Sequence, residues 1–588
     1  MKKFWSAISI IVAFRIIIAI NIPVWIDTNA GLDDLLMLRY ADIFNHFTYW
    51  NTFSLAKTMS FPVFLGVSYI LRISFPIAVC LLWIVGSFLA LWLFKHFIKN
   101  SIGLILIFFF VLYSPVAFDL WTGLRVYRQA IIAPSALIVV LSFFLLVLKI
   151  YLVSKASDDY LKPRKILIFI SIFSGFSFIF FFYIKEDGMW LVPLIIIMTV
   201  TGVFLILKNV NNFQIKTKYL VIAVLPLLIF FCGTNIYKAV NYHYFGVFEI
   251  TTRNGGEFGR FAANLIKIED ENKTSIIWIP YSTLEKAWAA SETLASAPEI
   301  LDNLRNMEDY AGGDIINNPI PGDLMFWALK IALAEANLYN SERQAEVFFK
   351  EVNKELDAAF KTGAISKVTG ISISSTVPPR TIEEIKNLSL LVWEMLKYQT
   401  FYSLSSANVN FSTNYLTPTI EEVLRVEMLS YWYDFTIKDS VFLSIGNTII
   451  KIYRFAAPIL ICLAIAGYIW YALNRFRLRQ KNVSPGIWGL FPIFSVSLLI
   501  SVAALIIGVA WFAEWIFLSY PEVYQAVTIL NYYSSGAAPL IQLLQVFGIA
   551  YLLNQVSCLL ANRRVFCCTS RSASDSSYSP DSIETTSL

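Results

Sequence analysis

The stretch QAIIAPSALIVVLSFFLLVLKIYL at residues 129–152 decides the fold, because its 24 residues carry a single charge, Lys149. As a helix rising 1.5 Å per residue it would run about 36 Å, enough to cross a hydrocarbon core of about 30 Å. Similar apolar runs flank it on both sides. Scanning outward gives candidate spans at 4–25, 75–94, 101–118, 129–152, 166–184, 190–207, 219–238, 454–473, 487–511 and 536–557. The expectation is an all-α polytopic membrane protein of about ten spans. Composition agrees: 57% of the 588 residues are hydrophobic and 15% are charged, against about 25% charged in soluble proteins. Ordinary soluble enzymes, nucleic-acid binders and disulfide scaffolds are excluded. The first run follows Lys2 and Lys3 but is long, contains Arg15 and lacks a cleavage site, so it reads as a retained helix.

Charge divides the chain into modules. Residues 241–443 hold 27 acidic and 17 basic side chains, a net of −10, whereas the remainder holds 14 and 29, a net of +15. The organisation expected is a seven-span membrane module at 1–240, a mainly helical domain at 241–443 inserted between spans seven and eight, a three-span module at 444–560 and a disordered cytoplasmic tail at 561–588. Within the insert, 323–340 and 341–361 show helical periodicity with Ser341 as N-cap, Ile276–Pro280 reads as a short strand, and Gly312–Gly322 and Val377–Pro379 read as loops. None of the six cysteines lies in the insert, so no disulfide supports it; the adjacent Cys567 and Cys568 invite a lipidation reading.

Basic residues set the orientation. With the N-terminus inside, the inner loops collect Lys95 and Lys99, Lys155 to Lys165, Lys208 to Lys218, Arg475 to Lys481, and Arg563 with Arg564. Both termini are therefore expected in the cytoplasm and the insert outside. Reporter fusions after Lys273 and after Lys481 should report opposite sides of the membrane; the same side for both would end this scheme.

Soluble-type motifs are absent: the sequence has no G-x-x-x-x-G-K, no H-E-x-x-H and only three scattered histidines, His46, His96 and His243. The informative charges lie in the outer loops. G-L-D-D-L-L-M-L-R-Y at 31–40 leads into a helix expected over 34–47 at the membrane surface. Asp33 and Asp34 either cap that helix or hold a carboxylate at the boundary as general base. Lys57 either snorkels or meets a phosphate. Arg125 and Arg128, expected on one face of a helix starting there, suit phosphate oxygens or ordinary headgroups. Lys185, Glu186 and Asp187 form either a neutralised turn or a second acidic site for acceptor hydroxyls or a divalent cation. Arg15 reads as a buried ion paired inside the bundle.

Together these elements resemble the GT-C class of integral-membrane glycosyltransferases. Over about residues 1–240, G-L-D-D-L at 31–35, L-A-K at 55–57, F-P-V-F-L at 61–65 and K-E-D at 185–187 follow the order of that class. They are also similar to uncharacterised bacterial polytopic membrane proteins with Y-D-D, L-A-K and R-E-D elements. The resemblance implies a cell-envelope polysaccharide-type transferase in a bacterial cytoplasmic membrane. It would move a hexose or pentose from a polyprenyl-phosphate carrier to a glycan or lipid acceptor outside, with no nucleotide bound. Asp33 and Asp34 would be catalytic, Glu186 and Asp187 would face the acceptor, and Lys57, Arg125, Arg128 and Lys185 would receive the donor phosphate. The alternatives are a transporter or flippase for lipid-linked glycans and an assembly protein. Convergence of Asp33, Lys57, Arg128 and Glu186 at one boundary is the discriminating observation.

Overall fold

In a computed structural model the described residues are 2–27, 31–155, 165–405, 422, 424–425, 441–480, 486–519 and 530–561. The expected tail, Cys567–Cys568, Arg563, Arg564, Lys162, Arg164 and Lys481 lie outside them. Among the described residues the chain is helical, with isolated β-bridges and no strand; Ile276–Pro280 is an irregular segment, so the strand expected there does not form.

Nine helices are long and apolar enough to span a membrane among the described residues. Gln129–Ser154 is apolar on every side, and its apolar window is wholly buried inside the bundle, as expected of a helix with no polar face. Glycines admit the closest crossings. A Cβ at Gly467 would sit 1.9 Å from the Gly548 carbonyl oxygen, so Val441–Gln480 and Ala537–Ala561 approach backbone to backbone.

The expected span at 101–118 is corrected. Its helix covers only Ser101–Leu112, followed by a 3-10 turn at Pro115–Phe118. Twelve residues reach about 18 Å, and Pro115 supplies no N–H to continue. Tyr113 lies at the level of the middle of the first helix, its hydroxyl donating to the Ile11 carbonyl at 2.9 Å. From there an irregular segment returns to the Trp25 end. Such backbone is tolerated at membrane depth only when protein encloses it, and residues 113–120 are all buried. Arg15 is buried beneath this segment but pairs with no carboxylate among the described residues; its guanidinium lies 4.5 Å from the Phe118 ring centre.

Two further expectations change. The helix foreseen over 34–47 is a wide turn at Gly31–Leu35 and two short helices, Leu36–Ala41 and Ile43–Thr48, broken at Asp42. Arg125 and Arg128 precede the helix that starts at Gln129 instead of sharing its face. Arg125 sits in a parallel bridge to Trp25, which fixes it against the segment that follows the first span.

The inserted domain has the two expected helices, Leu324–Glu335 and Glu342–Thr362, the latter capped by Ser341 accepting from the Gln344 N–H at 3.1 Å. Gly312–Gly322 and Val377–Pro379 are loops. The domain grips the loop that follows the first span: Thr252 N–H donates to Leu55 O at 2.9 Å, and buried Lys330 reaches Thr52 O at 3.4 Å. Its helix Ile382–Thr400 starts with a Thr381–Glu384 capping box and lies along the C-terminal spans. Arg380 pairs with Glu514 at one end, and Tyr402 donates to Gln545 at 2.9 Å at the other. Residues near 380–405 therefore belong as much to the membrane bundle as to the insert.

Candidate functional site

Local chain geometry delivers Asp34 first. The wide turn at Gly31–Leu35 points it into the protein, where it is fully buried. Its Oδ2 accepts the Asp27 N–H and the Arg125 Nε–H, both at 3.0 Å, and Oδ1 accepts from Arg125 Nη2 at 2.8 Å. The same guanidinium is ringed by Trp25, Tyr127 and Tyr532 at 5.0, 5.2 and 5.5 Å. Burial pushes the Asp34 carboxyl up to about 6 against the pull of Arg125.

Asp33, one residue earlier, faces the other way. Its side chain is 48% exposed, and its partners Lys57 Nζ and Tyr127 Oη both bind Oδ1. The second oxygen is unengaged among the described residues. Burial would raise this carboxyl, but Lys57 and Arg128 overcome it and hold it well below the usual range. Asp33 is therefore ionised at any physiological pH.

Tyr127 is the hub of the site. Its hydroxyl donates to Asp33 at 2.8 Å and accepts from Arg128 Nη2 at 2.7 Å and from Lys57 Nζ at 3.4 Å. One donor and two acceptor positions are the full capacity of a phenol. Two cations thus meet at one oxygen, and carboxylates compensate them: Asp33 for Lys57, and Glu186 for Arg128 through contacts of 3.0 and 2.8 Å. Glu186 also accepts the Thr58 N–H at 3.3 Å, tying the two loops together. Burial raises the Glu186 carboxyl, but Arg128 leads the neighbouring cations that bring it down to about 2. Lys57, with 1% of its side chain exposed, is pushed down to about 8 by burial, with Asp33 opposing.

Lys185 and Asp187 pair with each other at 2.7 Å at the rim. All eight residues singled out in the sequence therefore gather in one place, but every cation among them already has a carboxylate. The two acids of the second loop divide between Arg128 and Lys185, and among the described residues no three His, Cys, Asp or Glu side chains gather as a metal-ligand set.

Sequence reasoning missed the contribution of the inserted domain and the last membrane module. Arg253 pairs with Asp323, and the Trp327 ring lies between Lys57 at 5.1 Å and Arg253 at 4.8 Å. Tyr532 stacks on Tyr127 at 6.1 Å, and Lys185 covers Tyr533 at 4.4 Å. No signal separated Arg253 and Asp323 from the other charges of the insert. Comparison with protein-family models, with curated proteins and with solved structures finds no match to this chain.

Proposed function

We propose that the chain is a GT-C-like glycosyltransferase that takes a sugar from a polyprenyl-phosphate carrier on the outer face of a bacterial cytoplasmic membrane. The observation that carries this reading is Asp33. It is an ionised, half-exposed carboxylate with one oxygen anchored and one available, in a mixed-charge cluster beside apolar spans where a lipid-linked substrate would arrive. The acceptor hydroxyl gives its proton to Asp33 as its oxygen bonds to the anomeric carbon. The bond from that carbon to the phosphate oxygen breaks, and its electron pair leaves with the polyprenyl phosphate. Direct displacement inverts the anomeric centre.

The ion pairs give this scheme an order of events. An incoming phosphate competes with Asp33 for Lys57 and with Glu186 for Arg128. As the phosphate takes up the charge of Lys57, Asp33 loses the cation that suppresses its basicity and becomes a better base. Charge developing on the leaving phosphate is then met by groups already in place. Asp34 and Arg125, which satisfy each other, act as the support beneath.

The test is release of polyprenyl phosphate from a panel of polyprenyl-phosphate hexoses and pentoses by the purified full-length protein in nanodiscs with cell-envelope acceptors. Sugar-dependent release supports the reading, and none across the panel overturns it. Release should also fall as pH rises through about 8. Lys57, faced by Asp33, Tyr127, Arg128, Glu186 and Arg253, is charged below that value and neutral above it.

A further inference from the structure

We propose that the helix Ile382–Thr400 lies lengthwise in the bilayer boundary with one long face against lipid, an inference independent of the transferase reading. Both of its ends are fastened to membrane spans. At the start Arg380 pairs with Glu514 and donates from Nη2 to Trp511 O at 2.7 Å, while Trp511 Nε1 donates to Pro378 O at 3.1 Å. At the other end Gln399 Nε2 donates to Asn531 O at 3.1 Å and to Ser534 Oγ at 2.9 Å. Between these ties the helix packs on Phe491–Ser519 and Ala537–Ala561, which supply two of the membrane-span candidates.

The sides of the helix differ in character. At about 100° per residue, Leu388, Leu391, Met395 and Gln399 share one face, and all four are buried. The opposite face carries Ile382, Leu390 and Trp393, which are 68%, 74% and 58% exposed, with Phe401 just beyond the last turn at 38%. Lys386 and Lys397 fall in the same stripe. Of the two flanks, one carries Glu383, Asn387 and Glu394, all exposed, and the other carries Ile385, Val392 and Leu396, all half-buried. Exposed apolar residues continue past the start of the helix at Ile371 and Ile373, where Ile371 bridges to Arg380.

Three sides of the helix are therefore apolar, and one flank suits water. A helix on a soluble domain has one apolar stripe and turns it to the core. Here a second apolar face stays open opposite the first, and an open patch of this kind marks a protein or a membrane contact. Position selects the membrane. The helix is fastened to spans whose own apolar sides require lipid, so the lipid around them reaches its outward face. Tryptophan belongs at that boundary, and so do lysines that lay an apolar stem on lipid and extend the ammonium to the headgroups. A protein partner seated on the stripe would leave the apolar flank of Ile385, Val392 and Leu396 without a reason. A bilayer that receives the helix lengthwise accounts for both, with the Glu383, Asn387 and Glu394 flank toward water.

Nitroxide labels placed by Glu383→Cys, Asn387→Cys, Leu390→Cys and Trp393→Cys test this in full-length protein whose six native cysteines are replaced by serine. In phosphatidylcholine nanodiscs, collision with oxygen, which concentrates in lipid, would be compared with collision with a water-soluble nickel chelate. The oxygen-to-nickel ratio should be several-fold higher at 390 and 393 than at 383 and 387. Equal ratios at all four positions would place the stripe in water and overturn the inference. Poor access of both probes at 390 and 393 would mark a face covered by protein, a second copy or another partner, and would overturn it as well. Should the cysteine-free protein fail to fold, wild-type protein gives a second measurement, in nanodiscs containing a phosphatidylcholine with a photoreactive acyl chain. That lipid should attach to the 382–400 peptide as well as to the spans; attachment to the spans alone overturns the inference.

Discussion

Replacing Asp33 with Asn should lower sugar transfer by about 10²- to 10⁴-fold, the range expected when a general base is removed, while the protein remains folded in the membrane. Asparagine keeps the size of the side chain and an oxygen able to accept from Tyr127, but cannot take a proton. The change also removes the nearest opposite charge from buried Lys57, which would ordinarily be severe. Lys57 has an exit, however. Burial already brings it down to about 8, and without Asp33 it falls further and sheds its proton. The stability cost is then set by that shift, about 1.4 kcal/mol for each pKa unit, and not by a stranded cation. Transfer rate and unfolding midpoint should therefore separate. Full turnover by Asp33→Asn with a purified donor would remove Asp33 from the mechanism; equal losses of turnover and of folded protein would reduce it to a structural ion.

The spans and the charges in the loops between them were legible for one physical reason. In an apolar chain each charge near the boundary is expensive, so Asp33, Asp34, Lys57, Arg125, Arg128, Lys185, Glu186 and Asp187 stand out. What they bond to was not legible. The arginines suggested a free anion site, but pairing is decided by loops that meet in space: Trp25 with Arg125 through a parallel bridge, and Thr58 with Glu186 across 128 positions. Rarity fails as a signal inside the insert, where 44 charged residues hide Arg253 and Asp323, and for Tyr127 and Tyr533 among 29 tyrosines. Hydropathy alone could not register the break after Leu112. Ser114 and Pro115 sit in an apolar run, and an irregular segment buried in protein is as apolar as the helix it replaces.

The neighbouring substitution, Asp34→Asn, should behave in the opposite way. It should destabilise the protein by about 3–5 kcal/mol, as breaking a buried pair does when one charge is left behind. Asp34 is fully buried, and both of its oxygens are occupied by Arg125 or the Asp27 N–H. Arg125 has no exit comparable to that of Lys57, because a guanidinium keeps its proton. It would remain charged among the rings of Trp25, Tyr127 and Tyr532, with Asp27 at 3.6 Å as the carboxylate still within reach. The damage would spread, since Arg125 fixes the segment that carries Tyr127 and Arg128. Arg125→Lys should recover only part of the stability lost in Arg125→Ala, because one ammonium cannot replace the two parallel contacts. Thermal unfolding in micelles, followed by size-exclusion profile, reads all of these variants. An Asp34→Asn midpoint equal to wild type would show that the pair is not the support beneath the site and would reopen Asp34 as a chemical participant.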